Sequence, residues 1–238
     1  MSNVFHLCKR NVLIFIRDRS SVFFSLLAVF IIIGLYALFL GDIVVSSVSE
    51  IVGEHARYLM DSWIMAGTLA VTSITTTLGA FGILIDDRDR KISNDFKSSP
   101  IKRTHILSGY ILSAWIIGVL ISILGLLLAE IYIVVSGGRW LELKEAISLI
   151  GVMMVSVFSS TAMMLFFVSF FKSSSSFGVA SSVMGTLIGF LTGIYVPIGQ
   201  LPNGVQTVTK FFPPSKSIFP MSQTAFYFHC MNAILTKI

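Results

Sequence analysis

Charge is what this chain of 238 residues has least of: Asp, Glu, Lys and Arg make up 12% of it, against 55% hydrophobic residues. With a mean hydropathy of +0.87, that scarcity excludes an ordinary soluble domain and points to a polytopic membrane protein. The stretches between apolar runs are too short to build a core of their own in water, so residues 1–238 read as a single transmembrane domain. Cysteine is nearly missing too. Cys8 and Cys230 stand far apart and fall on opposite sides of the membrane in the topology below, which excludes a disulfide between them. The four histidines, His6, His55, His105 and His229, are scattered, with no HExxH, no paired cysteines and no GxSxG elbow. No metal site and no catalytic residue is therefore expected; an intramembrane enzyme without a linear motif stays open as an alternative. There is no Gly-x-x-x-x-Gly-Lys-Ser/Thr loop, so the chain cannot hold nucleotide in the P-loop manner.

What is abundant is apolar sequence of spanning length. Ser21–Leu40, Trp63–Ile85, Ile106–Val135, Ile147–Phe171 and Phe177–Ile198 each reach the roughly 20 residues needed to cross about 30 Å of hydrocarbon. The expected fold is all-α: five transmembrane helices, the third long enough to tilt or project. Ahead of them, residues 1–19 place Val4, Cys8, Val12 and Phe15 on one helix face and His6, Lys9, Arg10 and Arg17 on the other, the pattern of an interfacial amphipathic helix. A secretory signal fits less well, because the next apolar run is of full spanning length and no A-x-A-like site follows it. After the fifth run, residues 200–238 contain Pro202, Pro213, Pro214 and Pro220 with Asn203-Gly204, and read as an interfacial or re-entrant tail.

The few basic residues set the orientation. Lys9, Arg10, Arg17 and Arg19, then Arg88, Arg90, Lys91, Lys97, Lys102 and Arg103, then Lys172 flank one side, eleven in all; Arg57, Arg139 and Lys144 flank the other. The bias puts the N-terminus and the 86–103 loop in the cytoplasm of a plasma-membrane protein. The net charge of +5 suits anchoring to anionic lipid. No nucleic-acid partner is expected, since no basic patch is interleaved with stacking aromatics.

Asp86–Arg103 is the one strongly charged island. Asp86 with Arg90, Asp87 with Lys91 and Lys91 with Asp95 are each four apart, which predicts a short helix opening on acidic residues and stopping before Pro100. Ile92 and Phe96 would share a face of it, either offered to a partner groove or laid back on the membrane surface. Elsewhere, Ser181, Gly185, Gly189 and Gly193 form a small-residue ladder suited to close helix approach. Thr68, Thr72 and Thr76 make a hydroxyl stripe that could line a pathway or simply bond back to the preceding turn. Glu130, deep in an apolar run, is a functional candidate or an acid reaching the outer interface. The turn Lys172–Ser176, KSSSS, reads as a polar connector only.

The charged loop, ending in SSPIKRTHILSGY between the second and third apolar runs, resembles the permease subunits of ABC-2 type transporters. Ser99-Pro100, Lys102-Arg103 and Gly109 carry the resemblance. It implies that residues 1–19 are a connecting helix. It also implies that Asp87, Arg88, Arg90, Lys91, Ile92, Phe96 and Pro100 belong to a coupling helix docking on a separate ATP-binding subunit, which carries the ATP and Mg. The chain itself would bind no cofactor. The resemblance further implies a homodimer with the second and fifth spans near its centre, an export function for drugs, antibiotics or bacteriocins, and residence in a bacterial inner membrane. This sequence departs from the family pattern in having Asp86, Asp87 and Asp89 without the glycine usual near that position, and in showing no sixth apolar run after Pro220. A non-transporting immunity or sensor component, using the same loop to sequester a cytoplasmic partner, is the alternative reading.

Overall fold

The computed structural model describes residues 2–36, 38, 56–98, 101–135, 140 and 143–191. Those residues form seven helices: α1 (Ser2–Arg17), α2 (Arg19–Leu35), α3 (Ala56–Asp89), α4 (Ile92–Ser98), α5 (Arg103–Val135), α6 (Leu143–Ser169) and α7 (Ser174–Leu191). No strand occurs among the described residues, and the chain is an all-α, multi-pass membrane protein. The expected tail, residues 200–238, lies outside the described residues, as do Pro100 and Gly193.

Three helices are long and apolar enough to cross a membrane: Trp63–Asp89 within α3, Arg103–Val135 and Leu143–Ser169. The pair α1 and α2 passes the same test only jointly, bent by 72°. The bend has a local cause. Asp18 leaves helical geometry (φ −78, ψ 91), and its carboxylate accepts from the Ser20 amide and, at 2.6 Å, from the Ser21 hydroxyl; this caps a new helix rather than continuing the old one. The Ser21 hydroxyl holds the Asp18 carboxyl below its ordinary pKa. Helix α7 begins where the fifth span was expected but is not among the helices that pass this test, and residues 192–198 are outside the described set.

Helix α3 is the centre. It packs against α2, α5, α6 and α7, while α1 lies chiefly across α5. One core cluster, near the α1 end, joins Phe15, Ile74, Phe81, Ile85, Ile117, Met164, Val168 and Ile188; a second joins Leu69, Ala70, Leu126, Met153 and Val157. At the far end Tyr36, Met65, Ala129 and Ile133 close the bundle. Because lipid tails are as apolar as Leu, close approach rather than exclusion of water must hold such helices together. Helix α5 supplies that approach. A Cβ on Gly118 would stand 2.6 Å from Val157 and 2.9 Å from Thr77, and one on Gly109 would stand 2.8 Å from Leu7. A side chain at either position would force its neighbours to shift.

Candidate functional site

The charged island divides where a single helix was expected. Helix α3 runs on to Asp89, so Asp86, Asp87 and Asp89 form the end of a long helix and not the first turn of a short one. The chain then turns at Arg90 and Lys91, with Lys91 at φ 62, and α4 starts at Ile92. The four-residue spacings Asp86–Arg90 and Asp87–Lys91 thus straddle a helix end, and the predicted ion pairs give way to other partners.

All four residues at the end of α3 bond to other parts of the fold. Asp87, 4% exposed, receives both terminal nitrogens of Arg10 on α1, at 2.7 and 3.0 Å. The same carboxylate accepts from the Tyr110 hydroxyl on α5. Arg88 donates to the backbone carbonyl of Phe171 at 3.2 Å. Asp86 accepts from the Ser174 hydroxyl at 2.6 Å, and Asp89 from the Ser174 amide at 3.4 Å. The two acids thereby face the first residue of α7, where a helix carries its partial positive charge. Ser173 completes that start by accepting from the Ser176 amide.

Arg10 is the hinge of this joint. Besides Asp87 it donates to Asn11 at 2.9 Å, and its guanidinium lies 5.6 Å from the centroid of Phe96 on α4, within cation–π range. The bond to Asp87 raises the Arg10 pKa further, so the guanidinium stays charged. Next to it, buried Asn11 donates to Ser113 on α5 at 3.3 Å. Helices α1, α3, α4 and α5, together with the α6–α7 turn, are therefore tied at one end of α3. Bidentate guanidinium–carboxylate geometry makes the Arg10–Asp87 contact both strong and orientation-specific.

The residues singled out in the sequence fall into three groups. Asp87 and Arg88 face inward and hold the joint. Arg90 and Lys91 are exposed, while Ile92 and Phe96 are half-buried, Phe96 being turned toward Arg10 and toward two clefts against α5. The threonine stripe is inside: Thr68, Thr72 and Thr76 are at most 2% exposed, and Thr68 and Thr72 bond back to the carbonyls of Ile64 and Thr68. Thr76 is buried with no hydrogen-bond partner for its hydroxyl. In this conformation the stripe packs α3 against its neighbours. On α7, Gly189 is buried, Ser181 half-buried and Gly185 exposed, with open space around Gly185. The close glycine contacts lie instead on α5. Glu130 is buried at 6% and, like Asp61 and Glu145, engaged within the fold; Asp61 accepts from the Tyr36 hydroxyl at 2.7 Å.

Sequence reasoning missed Arg10, Tyr110 and Ser174 as members of the joint. One signal was available: Asn11 interrupts the seam formed by Cys8, Val12 and Phe15, and a polar side chain in a buried seam requires a buried partner. Nothing local marks Tyr110 or Ser174, whose partners are 23 and 88 residues away.

Residues 54–236 match the sequence profile of a family described as ABC-2 family transporter protein. The matched stretch begins after α2, so it includes α3 to α7 and leaves α1 outside it. No curated protein matches the chain.

Proposed function

The chain belongs to the ABC-2 transporter family and is a permease component of an ABC transporter; from that premise we propose an exporter whose power stroke enters through α4. In this reading two copies of the chain pair with two separate ATP-binding subunits, which carry the ATP and Mg. The N-terminus and the α3–α4 turn face the cytoplasm of the cell membrane, in keeping with the eleven Lys and Arg residues on that side. The exposed side chains of Arg90 and Lys91 meet the partner. Ile92 and Phe96 anchor α4 to the body of the permease, and Asp87 and Arg88 transmit the load.

The observation that carries this proposal is the joint at the end of α3. A seven-residue helix is too short to act as a lever alone, yet α4 leads through one turn into the end of the helix that contacts most of the bundle. Displacing α4 would move Phe96 against Arg10, and through Asp87 and Ser174 would reach α1, α5 and α7 together. Energy from ATP closure could in this way rock several spans as a unit.

The test is reconstitution with the ATP-binding subunit. Charge reversal at the surface, Arg90→Glu with Lys91→Glu, is expected to weaken subunit pairing and ATPase stimulation together. Asp87→Asn is expected to leave pairing intact and uncouple ATP hydrolysis from substrate flux. Unchanged pairing and flux in both variants would overturn the proposal.

A further inference from the structure

Two cavities lie beside the joint. The first, about 260 Å³, lies between α1, α4 and α5, and its lining includes Asn3, His6, Arg10, Phe96 and His105. The second, about 450 Å³, is lined by Val4, Ser108, Ile111, Leu112, Trp115 and Phe158. Both lie where α1 crosses α5: Asn3 and Val4 are successive residues of α1, and Ser108 comes three residues after His105 on α5.

Their chemistries differ in a definite order. The first offers two imidazoles, a guanidinium and a carboxamide, with exposed Lys9 and Lys102 on adjacent turns. The second is apolar except for Ser108. Ser108, Ile111, Leu112 and Trp115 follow the three-to-four spacing of one face and extend over about 10 Å of helix rise, away from the charged end of α5 and into its spanning portion.

We propose that the two cavities form one site for a phospholipid with an anionic headgroup, its phosphate on His6 and His105 and one acyl chain in the groove ending at Trp115 and Phe158. Arg10 keeps both its bonds to Asp87, so the imidazoles are the direct donors and the nearby lysines supply the field. A zwitterionic headgroup would bring its own cation against Lys9, Arg10 and Lys102. A soluble protein partner could fill the first cavity but could not follow the groove along α5 into hydrocarbon. The lipid would brace α1 against α5 beside the Arg10–Asp87 contact, making the joint sensitive to membrane composition.

The test uses Trp115 as reporter in the full chain carrying Trp63→Phe and Trp140→Phe, reconstituted in phosphatidylcholine vesicles. Brominated phosphatidylglycerol is expected to quench Trp115 at a mole fraction roughly fivefold lower than brominated phosphatidylcholine, the factor one basic contact at a membrane surface supplies. Lys9→Gln with Lys102→Gln should abolish that difference, and His6→Gln with His105→Gln should raise the mole fraction that either lipid requires. Ser108→Phe, at an exposed position, should block quenching by both lipids with the helical content unchanged by circular dichroism. Equal quenching by the two lipids, a difference that survives the double lysine variant, an unchanged mole fraction in the double histidine variant, or loss of phosphatidylglycerol quenching when the ATP-binding subunit is added would each overturn the proposal.

Discussion

Removing either side of the Arg10–Asp87 pair should cost more than its surface appearance suggests, and removing both should cost less than the sum. Asp87 is the buried partner, its side chain 6% exposed, while Arg10 is 33% exposed. Arg10→Ala strands a carboxylate that keeps only the Tyr110 hydroxyl. Asp87→Ala strands the guanidinium and leaves that hydroxyl without its acceptor. Breaking a buried pair from one side costs about 3–5 kcal/mol, and the partial exposure of Arg10 puts both variants near the low end, about 3 kcal/mol each. The double variant leaves no stranded charge, so it should lose about 4 kcal/mol, a coupling energy of about 2 kcal/mol. The assay is a double-mutant cycle on unfolding of the reconstituted protein. Additivity to within about 0.5 kcal/mol would refute the reasoning, because it would mean that the two groups contribute independently of their 2.7 Å contact.

Other outcomes follow from single positions. Gly118→Ala should destabilise by about 1–3 kcal/mol, since its Cβ would meet Val157 and Thr77, whereas Gly185→Ala, with open space around it, should cost the monomer no stability; a loss of dimer in Gly185→Leu, read by cross-linking, would support a dimer with the fifth span near its centre. Lys91→Gly should stabilise by about 1 kcal/mol, because Lys91 occupies the left-handed region at φ 62 and glycine does so without strain. Burial raises the Cys8 thiol pKa above its ordinary 9.0, so alkylation in a Cys230→Ser background should be slow at neutral pH and keep rising with pH beyond 9; a rate that levels off below pH 9 would contradict the packing of α1 on α5. Ser174→Ala should detach the start of α7 from Asp86 and speed proteolysis in the 170–176 turn, which limited digestion would detect.

The spans were legible because length and hydropathy alone decide them: α3, α5 and α6 appear where the apolar runs lie. The elbow at Asp18 was legible in part, since charged residues flank it, but its capping geometry depends on φ and ψ that composition does not encode. The charged island was misread in detail for a physical reason. Spacings of four residues stabilise a helix only if the chain stays helical across them, and here Asp86 and Asp87 find stronger partners outside their own helix. A surface pair is worth a few tenths of a kcal/mol, while a carboxylate that is 4% exposed must be paired or be destabilising. Tertiary partners therefore win. The glycines follow the same logic: the regular ladder lies on α7, but the closest glycine contacts, at Gly109 and Gly118, come from what faces α5, and spacing says nothing about a neighbour.

The placement of Asp87 also alters what the proposed coupling segment can do. Had Asp87 been exposed, it would have been a separate, screened contact for a partner, worth about 1 kcal/mol or less. With Asp86, Asp87, Arg88 and Asp89 committed internally, a partner is left with Arg90, Lys91 and the outer side of α4, a small area that suits transient engagement. Among the internal bonds the buried carboxylate of Asp87 is held by several at once, from Arg10 and Tyr110, while Asp86 and Asp89 each add one exposed bond to Ser174. A weak outer contact on a stiff inner joint allows the proposed motor to push and release without unfolding what it pushes on. It also locates a sensitive point at Arg10, which touches both α3 and α4 from α1.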